Sequence, residues 1–219
     1  MKMAKNAQKA NEGQTREVVI PPPHDETAVF TIRGTSPLVL NAFSQKARQQ
    51  ITDKQMAGSA AKKGKAREAK DFDACYEGAK HVSEEGWLGF SAGAIRAAMV
   101  SACRIIGFKM TLAKLSVFVV ADGFDKVDGT SLVRITKGVP SRVDHPVILE
   151  TGVRDIRSRP MWKPGWEAVL RIQYNADLFT LDDIANLLMR VGRNVGIKEG
   201  RPDSKKSCGM GWGLFDIVG

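Results

Sequence analysis

Residues 192–217 read GRNVGIKEGRPDSKKSCGMGWGLFDI, a run of glycines and cations that leads directly into an apolar segment. Residues 190–206 hold six Lys and Arg against two acids, and the glycines leave the backbone free to approach another chain closely. Backbone N–H groups and cations brought together in this way hold phosphate oxygens. The alternative is a solvated turn whose charge only limits aggregation. The elements that precede the loop decide between these two interpretations.

The charge balance of the whole chain favours a polyanionic partner. Its 219 residues carry 33 Lys and Arg against 24 Asp and Glu, which gives a formal net charge of +9. Such an excess is typical of proteins that bind nucleic acid, and a basic surface that only maintains solubility is the competing explanation. The length and the apolar fraction of 43% fit one medium-sized globular domain.

Cysteine usage and hydropathy favour a reducing cytoplasm. The three cysteines are far apart and form no CxxC pair, which argues against a disulfide framework and against a zinc site. No apolar run reaches the roughly 18 residues of a membrane helix, and residues 1–19 lack the apolar core of a signal peptide. We therefore predict a cytoplasmic protein with no membrane partner, no metal and no cofactor.

Hydrophobic periodicity predicts a mobile basic N-terminal arm (residues 1–26), which extends freely or lies over a neighbour, and one domain (27–219). The 3.6-residue period predicts helices over 91–107 and 180–192, and a short basic helix after Ser44. Alternation predicts strands at TAVFTIRG (27–34), AKLSVFVVADG (113–123), TSLVRITKG (130–138), WEAVLRIQYN (166–175) and LFDIV (214–218).

Two segments interrupt this order, at about 53–80 and 138–165, and we interpret both as insertions. The first lacks any period, and the second mixes arginines and prolines with β-branched residues, which indicates a protruding loop or hairpin. Without them the order is strand, helix, strand, strand, helix, strand. This predicts an α+β fold: a ferredoxin-like or RRM-like βαββαβ palm with two insertions and a C-terminal glycine-rich loop.

Signals for catalysis are weak. His24, His81 and His145 lie in unrelated polar segments, and none stands beside a Ser, a Cys or a carboxylate at a motif spacing. We expect them to be surface histidines and not general bases. The chain is therefore predicted not to be an enzyme.

The residue order of the C-terminal loop resembles the glycine-rich loop of the RAMP superfamily, which includes the backbone subunits of CRISPR effector complexes. That loop opens with Gly-hydrophobic-Gly and continues with an acid, Arg-Pro, and glycines that alternate with an aromatic. The segments FTIRGTSPLVLN (30–41) and GFSAGAIRAAMVSAC (89–103) resemble the first strand and turn and a helix of such subunits. The matching loop residues are Gly192, Gly196, Ile197, Glu199, Arg201, Pro202 and the segment GMGWG at 209–213.

The resemblance implies a hand-shaped subunit whose copies stack along single-stranded RNA. Residues 53–80 would be finger-like, and residues 138–165 would be a thumb that wedges between bases held by the next copy. A standalone relative from a phage or mobile element would coat RNA or single-stranded DNA, and the sequence does not distinguish the two.

The predicted interface consists of cations and one aromatic ring on these segments. The cations are expected to hold the strand's backbone largely independently of base sequence, and Trp162 is expected to stack on a base. The predicted contact residues are Lys46, Arg48, Arg154, Arg157, Arg159, Trp162, Arg193, Lys198, Arg201, Lys205 and Lys206.

The sequence thus predicts a non-enzymatic subunit that multimerises head-to-tail along RNA or single-stranded DNA, with CRISPR-type subunits as further candidate partners. Two alternatives stay open. A RAMP-type endoribonuclease would need a catalytic histidine near the palm or an exposed acid near the first strand. A subunit mimic that inhibits a CRISPR complex would keep the fold and self-association but would show no strand-length-dependent binding.

Overall fold

A computed structural model of the chain describes residues 20–58, 69–148, 151–204 and 208–219, with the backbone alone at residues 46 and 47. The described helices are α1 (Gln45–Ala57), α2 (Phe72–Glu77), α3 (Ala92–Ala102), α4 (Met110–Ser116) and α5 (Leu181–Arg190), which a π-helical turn (Val191–Val195) continues. The described strands are β1 (Asp25–Gly34), β2 (Leu38–Val39), β3 (His81–Val82), β4 (Leu88–Ser91), β5 (Val117–Val120), β6 (Gly123–Phe124), β7 (Ser131–Lys137), β8 (Ser141–Ile148), β9 (Arg154–Trp162), β10 (Glu167–Asn175) and β11 (Phe215–Ile217).

The larger of two antiparallel sheets has the order β11-β1-β10-β7-β4-β3. β1 and β10 pair along their whole length, from Asp25↔Asn175 to Arg33↔Glu167. On its other edge, β10 pairs with β7 near its start and with β5 near its end. The α+β class is therefore confirmed, with antiparallel sheets and five helices in the described part of the chain.

The alternation in β1 and β10 places one face of the larger sheet in the core. Ala28, Phe30 and Ile32 are buried, whereas Val29 between them is 58% exposed. The buried residues of both strands form a single cluster with those of α3 and α5. The predicted strands at 27–34, 130–138, 166–175 and 214–218 are confirmed to within a few residues at each end.

Helix α5 begins where the sequence indicates. The Thr180 side chain accepts from the Asp183 backbone N–H, and the Asp183 carboxylate accepts from the Thr180 N–H, which makes a capping box. The stripe of Ile184, Leu187 and Leu188 is buried.

Two predictions around α3 and α4 are wrong. Helix α3 ends at Ala102 and not at Gly107, because the backbone hydrogen bonds tighten to i→i−3 from Arg104 onward, which leaves Ile105 51% exposed. Residues 110–116 are helical, so the predicted strand at 113–123 begins only at Val117. Short apolar runs do not separate strand from helix by periodicity.

The predicted insertion at 53–80 is partly helical. Helix α1 runs through its start to Ala57, and α2 lies near its end against β9. Asp73 of α2 accepts from Arg142 of β8 (2.5 Å). Residues 59–68 lie outside the described residues, as do residues 1–19 of the predicted arm, whose last two residues belong to β1.

The predicted thumb at 138–165 is a long hairpin rooted in a second sheet. β8 and β9 pair from Ser141↔Met161 to Ile148↔Arg154, and β2 joins the other edge of β9 through Leu38↔Trp162. The prediction that Trp162 offers an exposed stacking ring is wrong. Its side chain is 1% exposed and packs within the main core, because β2 holds this end of β9 against the domain.

Candidate nucleic-acid interface

The glycine-rich loop between Gly196 and Gly213 is bound to the domain by its own backbone. The Ile197 N–H donates to the Gly213 carbonyl (3.1 Å), and the Gly213 N–H donates to Pro37 (2.7 Å). The Glu199 N–H donates to Val39 of β2 (3.2 Å). Residues 196–204 and 208–213 of the loop therefore lie between the turn after β1 and the second sheet.

Several glycines of the loop are required by close packing within the chain. Gly213 has φ +71°, and a Cβ there would collide with the Ile197 carbonyl oxygen. Gly209 has φ +67°, and a Cβ there would collide with the Arg201 carbonyl oxygen. The close backbone approach expected from these glycines is thus made within the loop itself.

Glu199 links this loop to the β8–β9 hairpin. Its carboxylate accepts from Arg159 Nε (2.8 Å) and Arg157 Nη1 (3.2 Å), and His145 Nε2 lies 3.2 Å from the same group. The side chain of Glu199 is 11% exposed, so these contacts are made largely out of water. Arg157 and Arg159 stand two residues apart on β9 and therefore face the loop together.

The charge of Glu199 is held firmly by this arrangement. Burial alone would raise its pKa, but the hydrogen bonds from His145 and from the two arginines outweigh it and lower the pKa to about 2. The carboxylate is therefore ionised across the physiological range. Each guanidinium has five N–H donors and uses only a few of them here, so Arg157 and Arg159 keep donors for an anionic ligand.

A second carboxylate repeats the pattern further along the loop. Asp203 accepts from Ser101 at the end of α3 and from Arg104 Nη2 (2.5 Å). The pKa of Asp203 is lowered first by the Ser101 hydrogen bond and further by the charges of Arg104 and Arg201. We call Arg104, Arg157, Arg159 and Arg201 the arginine strip, because the first three donate to Glu199 or Asp203 of the loop, and Arg201 of the loop donates to the Lys198 carbonyl (3.0 Å).

The side chain of Lys198 turns inward and forms a buried polar chain. Lys198 has φ +63°, and its Nζ lies 3.4 Å from both His81 Nε2 and Ser91 Oγ. His81 Nδ1 lies 2.8 Å from Asp125 Oδ2. Burial, and then the charge of Lys198, lower the pKa of His81, which assigns the neutral ring with Nδ1–H donating to Asp125. Lys198 thereby ties the loop to β3 and β4.

This burial predicts an unusual pH dependence of stability. Burial first, and then the charge of Arg201, lower the pKa of Lys198 from 10.5 to about 8. Between those values the unfolded chain binds the proton and the folded chain does not, so stability rises with pH, by up to about 3 kcal/mol at about 1.4 kcal/mol per unit.

The variant Lys198→Met retains a side chain at the same backbone conformation and removes the titrating group. We expect the free energy of unfolding of the wild-type chain to increase relative to that of Lys198→Met as pH rises from 8 to 10.5. Urea unfolding at stepped pH measures this difference. A constant difference across the range would contradict a buried, destabilised ammonium.

The hairpin carries an exposed apolar tip. Ile148 is 73% exposed and Ile156 is 48% exposed, and the pairings Ile148↔Arg154 and Pro146↔Ile156 place all four side chains on one face. The eight residues of β8 span about 25 Å at about 3.3 Å per residue, which separates the tip from the root of the hairpin.

The other predicted contact residues are dispersed. Arg48 is half-buried, pairs with Asp128 and lies 5.5 Å from the Phe43 ring centroid. Arg193 is exposed and pairs with Asp216 of β11 (3.3 Å). The predicted role of Lys198 as a surface contact is wrong, because its side chain is buried. Lys205, Lys206 and the side chain of Lys46 lie outside the described residues.

Sequence reasoning missed four members of this site, which are His81, His145, Asp203 and Arg104 of the arginine strip. His81 and His145 were expected at the surface, but they are only 5% and 6% exposed. His145 has a usable signal, because it alternates with exposed residues in β8 and so points inward. Asp203 has none, since its partners Ser101 and Arg104 lie about a hundred residues away in sequence.

No family model matches the chain, and no curated protein is significantly similar to it. Among the helices in residues 20–58, 69–148, 151–204 and 208–219, none is long and apolar enough to cross a membrane. The same ranges contain no group of three or more His, Cys, Asp and Glu side chains that could hold a metal ion.

Proposed function

We propose that this chain is a non-enzymatic subunit that binds single-stranded RNA or DNA in the cytoplasm and multimerises along the strand. The observation that carries the proposal is the arginine strip. Four guanidinium groups against two carboxylates leave a net positive charge beside residues 196–204 of the loop, whose backbone is hydrogen-bonded to the domain. Preorganised donors of this kind suit phosphate oxygens, which repeat along a strand whatever its bases.

A βαββαβ palm, as in the RAMP superfamily, is part of this proposal. The elements β1, α3, β5 with β7, β10, α5 and β11 follow one another in that order. The neighbour relations support the palm, because β1 lies between β11 and β10, and β10 is paired on its other edge by β5 and β7. The glycine-rich loop then joins the second palm helix to the last palm strand.

The hairpin supplies the second contact in the proposed complex. A strand held by the arginine strip would pass the root of β8 and β9, while the exposed tip extends beyond it. Apolar side chains such as isoleucine unstack bases by insertion between them. We assign this wedge to Ile148 and Ile156 of the tip, in place of the buried Trp162.

Lys205 and Lys206, which follow Asp203 closely in the sequence, provide the direct test. Changing Lys205 and Lys206 together to Ala is expected to weaken binding to all single strands alike and to flatten the plot of log affinity against log salt by about one unit for each phosphate that is no longer neutralised. Fluorescence anisotropy over a salt series measures both. The matched control, Lys114→Ala with Lys126→Ala, removes two exposed lysines from elsewhere. Equal effects of the two double variants would show that the loop lysines contribute to binding only through the net charge of the protein.

The proposal also predicts that a bound strand stays intact. The His81–Asp125 pair is the described arrangement closest to a general base with its orienting acid, but both residues are buried. Incubation of labelled single-stranded RNA with Mg²⁺ or Mn²⁺ should leave it full length. Cleavage that is lost in His81→Ala, His145→Ala or His24→Ala would establish the endoribonuclease alternative instead.

A further inference from the structure

An open groove of about 670 Å³ lies between α5 and the turn that follows α3. Two aromatic rings, Phe108 and Phe179, meet in it with their centroids 5.0 Å apart and their planes tilted by 50°. Its rim carries exposed apolar side chains, with Ile106 47% exposed, Leu178 45% and Met189 37%, and also polar and charged ones, among them Asp183, Arg190 and Arg193. Grooves of this size with an aromatic lining are typical of ligand and peptide sites.

A proline-rich segment of the same chain leaves the domain at the edge of this groove. The His24 carbonyl accepts from the Ala176 N–H (2.7 Å), and His24 Nδ1 lies 3.4 Å from Asp177 Oδ1, one residue before the rim residue Leu178. The preceding residues 20–23 read IPPP and are exposed, with Ile20 at 83%. Before them the sequence is EVV, which adds two apolar side chains and one acid.

The chemistry of this segment matches the groove. Consecutive prolines favour the extended polyproline II helix, which loses little entropy on binding and docks in aromatic-lined grooves. The apolar run of Val18, Val19 and Ile20 would fill the apolar part. Glu17 would face Arg190, an exposed cation on the groove wall.

The geometry favours the groove of a neighbouring copy over the chain's own. Three prolines form a stiff spacer of about 3 Å per residue. The anchor at His24 fixes where that spacer starts, and Ile20 at its far end is 83% exposed. Residues 20–23 do not line the groove of their own chain, so the segment can reach an identical groove on a second molecule, which is a head-to-tail contact.

We propose that residues 17–23 of one copy dock in the Phe108–Phe179 groove of the next copy. This contact deepens the proposed function, since it names how copies join in a row, and it rests on the assembly part of that proposal. It does not require nucleic acid. An experiment without nucleic acid therefore tests this contact alone, and its failure is distinguishable from a failure of strand binding.

Two variants of the full chain, each defective in one half of the contact, test the proposal. The segment variant carries Val18→Ser, Val19→Ser and Ile20→Ser, and the groove variant carries Ile106→Glu and Met189→Glu. The control is Val139→Ser, a similarly exposed apolar residue outside both surfaces (85%). Sedimentation velocity of nuclease-treated protein over a concentration series gives the oligomeric state, and circular dichroism checks that each variant folds.

The wild-type chain and the control should form concentration-dependent oligomers, and each variant should raise the dissociation constant by about tenfold or more. A mixture of the two variants should form a one-to-one dimer that grows no further, because one intact segment meets one intact groove. A wild-type chain that stays monomeric would overturn the proposal and leave the groove to the chain's own segment. Folded variants that associate like the wild type, or a mixture that forms no dimer, would overturn it too.

Discussion

Replacing Glu199 by Gln is expected to lower the free energy of unfolding by about 3 kcal/mol near neutral pH. The substitution keeps the shape of the side chain but removes the charge that neutralises Arg157 and Arg159 at a site shielded from water. The expected size follows from the pKa of Glu199, which falls from 4.5 to about 2 on folding, at about 1.4 kcal/mol per unit. Urea unfolding of both proteins measures the difference.

The same coupling fixes how the difference depends on pH. Because the folded pKa is depressed, the stabilisation is fully present above pH 4.5 and is lost as pH falls toward 2. The two proteins should therefore converge in acid. The control is Glu77→Gln, which breaks an exposed pair with Lys80 and should cost less than about 1 kcal/mol. If the Glu199→Gln variant is no less stable than this control, Glu199 does not link the loop to the hairpin.

Changing Ile148 and Ile156 together to Ser is expected to weaken multimeric loading on a long strand by roughly tenfold or more, because the tip then lacks its apolar wedge. Both side chains are exposed, so the fold should be unaffected. Binding of one protomer to a short strand depends on the arginine strip and should change little. Mass photometry on short and long strands separates the two effects.

The control for the tip variant is Val127→Ser with Val139→Ser, which removes two exposed apolar side chains outside strands β8 and β9 (50% and 85%). An equal weakening on short and long strands would place the tip in simple strand binding. Unchanged binding to short and to long strands would show that the hairpin tip does not contribute to the interface.

The elements that the sequence predicts well are those with a long regular period and a local start signal. The alternation of Ala28, Phe30 and Ile32 identifies β1, and the capping box at Thr180 identifies the start of α5. Each signal is local, and the core then confirms it by burial. The end of α3 and the helical residues 110–116 depend on how neighbouring turns pack, so the apolar pattern alone does not define them.

The candidate site depends on long-range contacts, and the sequence predicts it less completely. Arg157, Arg159 and Arg201 were identified from charge and loop composition, and the structure brings Arg157 and Arg159 together on Glu199, while Arg201 donates to the Lys198 carbonyl and its charge lowers the pKa of Asp203. Composition does not indicate which cations turn inward, and Lys198 does so because its positive φ redirects the side chain toward His81. The burial of Trp162 also depends on a long-range contact, because β2 and β9, which pair beside it, are far apart in sequence.

The central claim is that copies of this chain assemble along a single strand, and the mass bound per strand tests it most directly. Light scattering with nuclease-free protein and oligonucleotides of increasing length should show the bound mass rising in regular steps of one protomer. Each added length of strand provides phosphates for the arginine strip of one more protomer. RNA and DNA series run in parallel identify the preferred strand. A bound mass that stays at one or two chains at every length would contradict the assembly and leave a simple binding module or a subunit mimic.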